Sequence, residues 1–245
     1  MITKIGALNC ENLTAIVACP SIGNVGQLST DLLVSNLDAE YVGMAWHPGL
    51  LPLAGGDPYH NSSTKICTSN DFYLSRAQNL LFVQLRAPVL QKLASDFTSK
   101  LVEVLTGLGV RKVVILSGMF SHGRDDTEIR AGSFRYVLNS FAENEANSLA
   151  LSWVRLTGNE PENGSSCPKL RGTGFTRTLL NVCTQKSIPC VALLYFCSEG
   201  DNLQDSLQFT LKINEWLNIL PNINKIEKPI SWEYLFGNER PKDMY

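Results

Sequence analysis

The stretch with the clearest potential for ligand chemistry is residues 21–26, which read Ser-Ile-Gly-Asn-Val-Gly. It follows an apolar run and precedes leucines at helical spacing, so the sequence predicts a tight strand-to-helix turn. Gly23 and Gly26 would permit unusual backbone angles or a close approach, and helix N-termini at such turns often bind phosphate. The stretch lacks the Lys-Ser/Thr of a Walker loop and has only part of G-x-G-x-x-G. A structural turn, hydrogen-bonded by Asn24, is therefore favoured over a phosphate site.

Two further stretches place possible catalytic groups at the ends of predicted strands. Ser117 and His122 follow the central apolar strand, but no G-x-S-x-G elbow surrounds the serine. Glu199 and Asp201 follow a later strand and have the residue types of a general acid/base pair. The competing interpretation is that Asp201 or Asn202 caps the next helix, where acidic residues are favoured. Capping needs no further assumption and is preferred.

Metal and cofactor sites are not expected. The three histidines, His47, His60 and His122, are scattered and form no metal-ligand pattern. We expect surface or capping roles for all three. The seven cysteines contain no C-x-x-C pair, which argues against a zinc site.

Composition and charge exclude several classes of function. The chain has 245 residues, 44% of them hydrophobic and 18% charged, which is typical of a globular protein with a sizeable core. A net charge of -2 with dispersed Lys and Arg argues against nucleic-acid binding. No apolar run approaches the ~18–20 residues that span a membrane, and residues 1–5 lack the apolar core of a secretory signal. We expect a cytoplasmic and nuclear protein without a membrane partner.

The elements that would position these residues alternate between buried strands and amphipathic helices, which predicts an α/β fold with a mostly parallel, mixed sheet. A helix is expected to start at Pro88. Residues 134–138 fit a short strand or a turn, and residues 149–156 fit another strand. No linker divides the chain, so we predict one domain over 1–237 and a polar tail over 238–245. The other predicted strands are 13–18, 41–46, 66–73, 80–85, 110–116 and 191–196.

The last predicted helix, residues 202–220, has apolar residues over more than half of its circumference. A surface helix usually shows a narrower stripe, so this helix is either sandwiched beneath a C-terminal segment or contacts a partner. Aromatic residues often carry much of the energy of an interface. Our candidates for partner contacts, which could equally cover the core, are Phe209, Trp216, Trp232, Tyr234 and Phe236.

The end of the chain resembles a peptide-docking anchor. A polar spacer precedes Met244 and Tyr245, and an apolar-aromatic end with a free carboxylate suits capture in a pocket.

Together these stretches resemble the PAC2-type family of proteasome assembly chaperones over nearly the whole chain. The glycine turn is shared with prokaryotic relatives, whereas 198–202 and 231–237 are more specific to the eukaryotic chaperone. The stretches that carry the resemblance are 22–26, 51–55, 84–86, 174–179, 196–202, 214–217, 229–232 and 235–237.

The resemblance implies one three-layer α/β/α domain, similar to phosphorylase/hydrolase-like folds but without catalysis or cofactor. It implies a heterodimer with proteasome assembly chaperone 1 that binds proteasome α-subunits, promotes α-ring formation and blocks off-pathway ring association. Members of the family dock a C-terminal hydrophobic-Tyr-any motif between α-subunits, whereas here no residue follows Tyr245. The competing class is an enzyme with a pocket formed by residues 21–26, Ser117 and Glu199.

Overall fold

The fold is built on one large mixed sheet. A computed structural model of the chain describes residues 1–8, 10–61, 63–122, 124, 126–151, 153–156 and 168–233. Within these ranges nine strands form the sheet in the order β1-β3-β6-β7-β2-β8-β11-β9-β10. They are β1 Ile2–Ile5, β2 Leu13–Ala18, β3 Glu40–Trp46, β6 Asn70–Ser75, β7 Leu80–Leu85, β8 Val110–Phe120, β9 Phe134–Leu138, β10 Val154–Arg155 and β11 Cys190–Cys197. A separate ribbon pairs β4 Ala54–Gly56 with β5 Ile66–Thr68.

The centre of the sheet is parallel and its flanks are mixed. Strands β7, β2, β8 and β11 run parallel to one another. Strand β6 is antiparallel to both of its neighbours, and β9 is antiparallel to β11 but parallel to β10. Strand β1 pairs antiparallel with β3 at one edge. The predicted α/β class with a mixed sheet is confirmed, and the parallel pairs lie at the centre of the sheet.

Helices cover both faces of the sheet because its central strands are apolar on both sides. On one face α1 packs beside α6, and on the other α2 packs beside α5. None of the helices among the described residues is long and apolar enough to cross a bilayer. The six α-helices of that part of the chain are α1 Val25–Asn36, α2 Ala94–Gly107, α3 Asp126–Arg130, α4 Ala146–Leu149, α5 Thr176–Gln185 and α6 Leu203–Leu217.

Two local predictions need correction, and one strand was missed. Pro88 does not start a helix, because Val89 bridges to Leu50 and keeps the chain extended before α2 begins at Ala94. Of the described residues between 149 and 156, only Val154 and Arg155 form a strand, β10, and Leu149 instead ends α4. Strand β1 was not predicted at all. Residues 134–138 are a strand, and the predicted domain boundary at residue 237 lies outside the described residues.

Candidate interaction surfaces

The glycine turn connects β2 to α1 through backbone conformations that few residues adopt. Gly23 and Asn24 have φ angles of 64° and 53°, both left-handed. Gly26 lies against β8, where a Cβ placed on it would be 2.8 Å from the carbonyl carbon of Leu116 and closer still to its oxygen. Asn24 makes no capping hydrogen bond with its side chain, contrary to our expectation. Its backbone N–H instead donates to the carbonyl of Ser21 at 3.2 Å.

The polar groups of the turn are used within the protein. The N–H of Ile22 donates to the carbonyl of Gly172 at 2.9 Å, and the Ser21 hydroxyl accepts from the N–H of Gly118 at 2.8 Å. A Cβ on Gly118 would collide with the carbonyl oxygen of Ile22, and one on Gly174 with that of Pro20. The space in which a helix N-terminus would cradle a phosphate is therefore filled by neighbouring backbone.

The proposed catalytic groups do not converge. Ser117 is fully buried and donates to main-chain carbonyls at 3.1 and 3.3 Å, whereas Glu199 is exposed. Asp201 lies one residue before the N-cap of α6 and accepts a hydrogen bond from the N–H of Leu203 at 3.0 Å, whereas the N-cap itself, Asn202, makes no side-chain capping bond, contrary to our expectation. Asn202 is buried and donates to two carbonyls of its own loop. The Ser117 hydroxyl is thus bonded to the main chain inside the protein while Glu199 faces solvent, which argues against the enzyme alternative.

Thiol chemistry at the turn is also disfavoured. Burial raises the pKa of the Cys19 thiol to about 12 and that of Cys197 to about 11. Both side chains stay protonated at neutral pH and are poor nucleophiles. Among the residues whose placement is described, no group of His, Cys, Asp and Glu has the arrangement of a metal site.

His47 differs from the surface role that we expected for it. It is buried, its Nε2 lies 2.8 Å from a carboxylate oxygen of Asp96, and its Nδ1 accepts from the N–H of Gly49 at 3.0 Å. Hydrogen bonds from Lys100 and His47 lower the pKa of the Asp96 carboxyl group. His47 therefore ties the end of β3 to α2. His60 and His122 are exposed, as expected.

The Gln-Leu-Arg stretch at residues 84–86 supplies part of a buried polar cluster. The Asp31 carboxylate on α1 accepts from Gln84 at 2.7 Å, from Arg86 at 3.0 Å and from the Tyr59 hydroxyl at 2.6 Å. Burial opposes the charge on Arg86, but attraction to Asp31 outweighs it and raises the pKa of the guanidinium. The cluster fixes α1 and the loop at Tyr59 to the sheet and has the character of a structural anchor.

The predicted partner contacts on α6 need one correction. Phe209 is fully buried, with its ring 5.9 Å from that of Trp153 and 5.6 Å from that of Tyr195, so it belongs to the core. Trp216 is half-buried, and its Nε1–H donates to the Ser148 hydroxyl at 3.2 Å. Tyr234, Phe236, Met244 and Tyr245 lie outside the described residues.

The outer apolar side of α6 is partly covered by the chain that follows it. Residues 223–232 run back across the helix, and Trp232 faces it in a half-buried position. A groove of about 240 Å³ remains between the two segments. Its apolar lining consists of Leu32, Leu203, Leu207, Leu211, Ile223, Ile226 and Trp232. The structure therefore favours a sandwiched helix that retains an opening to solvent.

A second apolar surface lies where the parallel strands end, beside the edge strand β1. The loops after β3 and β7 meet here, since the N–H of Leu90 donates to the carbonyl of Gly49 at 2.8 Å. In the loop after β3, Gly49, Leu50 and Pro58 are buried, whereas residues 51–56 are exposed. We call the exposed set the apolar edge surface. Its members and exposed fractions are Ile2 63%, Trp46 41%, Leu51 47%, Leu53 41% and Leu90 48%.

Sequence comparison relates nearly the whole chain to one family. The profile of the PAC2 family matches residues 15–219. The chain is 32% identical over 247 residues to proteasome assembly chaperone 2 of Xenopus laevis, which covers 95% of this chain and 94% of the relative. It is 31% identical over 256 residues to proteasome assembly chaperone 2 of Homo sapiens, with coverage of 98% and 97%.

Solved structures of similar fold are more distant in sequence. Pyrococcus furiosus PbaA, an archaeal homolog of proteasome-assembly chaperone, aligns with a TM-score of 0.66 and 17% identity, over 91% of this chain and 88% of that one. Pyrococcus furiosus PbaB, an archaeal proteasome activator, aligns with a TM-score of 0.66 and 16% identity over 91% of both chains. At this low sequence identity, the structural similarity shows a shared fold and nothing about function.

Proposed function

Because this chain belongs to the PAC2 family, we propose that it is a non-enzymatic chaperone of 20S proteasome assembly. The observation that carries the proposal is the length of the match. Relatives named proteasome assembly chaperone 2 are 31% and 32% identical to the chain over at least 95% of its residues. A match of this extent includes the interior, the loops and both surfaces described above.

The geometry supports a role carried by surfaces. The turn at which an α/β enzyme would bind its ligand is filled by backbone, with Ser117 buried and Glu199 at the surface. Large apolar side chains are instead exposed on the apolar edge surface. Exposed apolar patches are typical of protein-binding sites.

In finer detail, we propose that the chain acts as a heterodimer with proteasome assembly chaperone 1 in the cytoplasm and nucleus. The pair would bind proteasome α-subunits, promote α-ring formation and prevent off-pathway association of rings. These steps need protein surfaces only.

Co-expression with the partner chaperone tests this proposal. We expect a stable 1:1 complex by size-exclusion chromatography with mass determination, and capture of α-subunits when the complex is isolated from cell extract and its components are identified. The chain expressed alone should be less soluble. A well-behaved monomer that neither pairs with the partner nor captures α-subunits would contradict the proposal.

The C-terminal anchor is a separate part of the proposal. Deletion of Met244 and Tyr245 should weaken capture of α-subunits and leave the heterodimer intact, because the two steps use different surfaces. Lys242→Ala, a change in the same tail, is the matched control. Unchanged capture after the deletion would rule out the anchor.

A further inference from the structure

The edge of the sheet beside the apolar edge surface carries hydrogen-bonding groups that face away from the protein. Strand β1 pairs antiparallel with β3 in the register Ile2 with Trp46 and Lys4 with Met44. The N–H of Gly6 donates to the carbonyl of Val42 at 3.3 Å, which continues that register.

The direction of each backbone group follows from this register. In an antiparallel pair, hydrogen-bonded and non-hydrogen-bonded positions alternate. Residues 2, 4 and 6 therefore face β3, and the N–H and C=O groups of Thr3 and Ile5 point outward. Lys4 and the residues around it are exposed rather than covered by a helix. Such an edge is complementary to another extended strand.

The side chains next to this edge are apolar. Ile2 and Trp46 are direct cross-strand partners and stand on the same face of the sheet. The adjoining loops that carry Leu51 and Leu90 are held firmly, since the Ser69 hydroxyl donates to the Leu51 carbonyl at 2.5 Å and Val89 bridges to Leu50. The surface is thus formed before any partner arrives, which lowers the entropic cost of binding.

We propose that β1 and the apolar edge surface form the heterodimer contact, in which the partner chaperone adds an extended strand alongside β1. The inference rests on the heterodimer proposed above and names its surface. The partner strand would exchange backbone hydrogen bonds with Thr3 and Ile5, and its alternate apolar side chains would cover Ile2 and Trp46.

The area of the apolar edge surface is large enough for contact with a partner strand. The exposed parts of the five apolar side chains amount to roughly 400 Å². A standard interface buries about 800 Å² on each partner, of which somewhat more than half is apolar. The apolar edge surface, together with the backbone of β1, therefore suffices for one side of a stable complex. At the opposite edge, β10 has only two residues.

Proline substitution at an outward position provides the sharpest test. Thr3→Pro removes an outward N–H and leaves the β1–β3 bonds in place, since those involve residues 2, 4 and 6. We expect it to weaken the heterodimer by about tenfold or more, while Thr3→Ala, which keeps the N–H, leaves affinity nearly unchanged. Unfolding curves of the free chains establish that both variants are folded.

Two further measurements do not depend on that variant. Amide hydrogen exchange at Thr3 and Ile5 should be fast in the free chain and slow in the complex, whereas the Lys4 amide should be slow in both. Ile2→Ser should weaken the heterodimer. Leu151→Ser, a change at an 87% exposed position close in sequence to β10 at the opposite edge of the sheet, should leave the heterodimer unchanged.

The outcomes separate the two proposals. A heterodimer that tolerates Thr3→Pro and leaves the Thr3 and Ile5 amides unprotected overturns the inference alone. If the unaltered chain forms no heterodimer, the proposed function is overturned and this inference with it.

Discussion

Substitution of Gly26 by alanine tests whether the glycine turn is a packing device. Gly26 is the second residue of α1 and is buried. A Cβ at this position would lie 2.8 Å from the carbonyl carbon of Leu116 and 3.2 Å from the nitrogen of Ser117. Both atoms belong to the backbone of β8, so no side-chain rotation can relieve the contact. We expect Gly26→Ala to push α1 away from the sheet and to destabilise the protein.

The size of the effect follows from two opposing contributions. Alanine in a helix is more favourable than glycine by about 1 kcal/mol. Relief of the clash requires α1 to withdraw by roughly 1 Å, which sacrifices a quarter to a half of the dispersion energy at the contact and costs about 3 kcal/mol in total. The net loss in the free energy of unfolding is therefore about 2 kcal/mol.

Gly107→Ala is the matched control, because Gly107 is the last residue of α2 and an added Cβ would meet nothing within 4 Å. This variant should be as stable as the parent or up to about 1 kcal/mol more stable. Urea unfolding followed by circular dichroism gives both values, and Gly26→Ala should unfold at roughly 1 M less urea. If the two variants unfold at the same urea concentration, the close-approach argument for the turn is wrong.

Two other predictions concern buried polar groups. Asp31→Asn should cost about 3 kcal/mol because it leaves the buried guanidinium of Arg86 without a counter-charge; Glu40→Gln breaks the exposed pair with Arg76 and should cost less than about 1 kcal/mol. Equal losses in urea unfolding would contradict the role assigned to the cluster. Burial raises the folded-state pKa of three fully buried or nearly buried tyrosines, in addition to the half-buried Tyr41, and these three therefore keep protons that the unfolded chain releases above about pH 10. Above about pH 10, the free energy of unfolding should fall by up to about 1.4 kcal/mol per pH unit for each phenol. Near-ultraviolet absorbance of the phenolate should show that these phenols ionise only when the chain unfolds. Ionisation of these phenols before unfolding would contradict the raised pKa values. The three are Tyr59, Tyr73 and Tyr195.

The features that sequence alone predicts are those with local causes. The runs that became β2, β8 and β11 are mostly apolar, with Arg111 and Lys112 confined to the start of β8, so they indicate buried parallel strands without reference to the rest of the chain. The turn at Gly23 follows from glycine spacing between a strand and a helix. In each case the signal lies within about ten residues of the element that it predicts.

The features that sequence missed depend on partners distant along the chain. Strand β1 has four residues and is defined only by its pairing with β3, about forty residues later. His47 is buried because Asp96, far along the chain, accepts its hydrogen bond. The helical wheel placed Phe209 and Trp216 in one apolar arc. Only the packing of α6 on the sheet decides that Phe209 faces inward.

The same dependence explains why the ligand-binding end of an α/β sheet is closed here. Three segments far apart in sequence, at residues 22–26, 117–118 and 172–174, approach so closely that glycine is required in each. A site that admits a ligand needs space between such segments, whereas these glycines remove it. The turn therefore contributes stability, and recognition is left to exposed elements such as β1 and the apolar edge surface. If stability and recognition are separated in this way, Gly26→Ala should lower the free energy of unfolding without removing any partner contact. Thr3→Pro should instead lower the affinity for the partner chaperone with little change in the free energy of unfolding. A single variant of the turn that abolished pairing while leaving the fold fully stable would show that the turn itself recognises the partner.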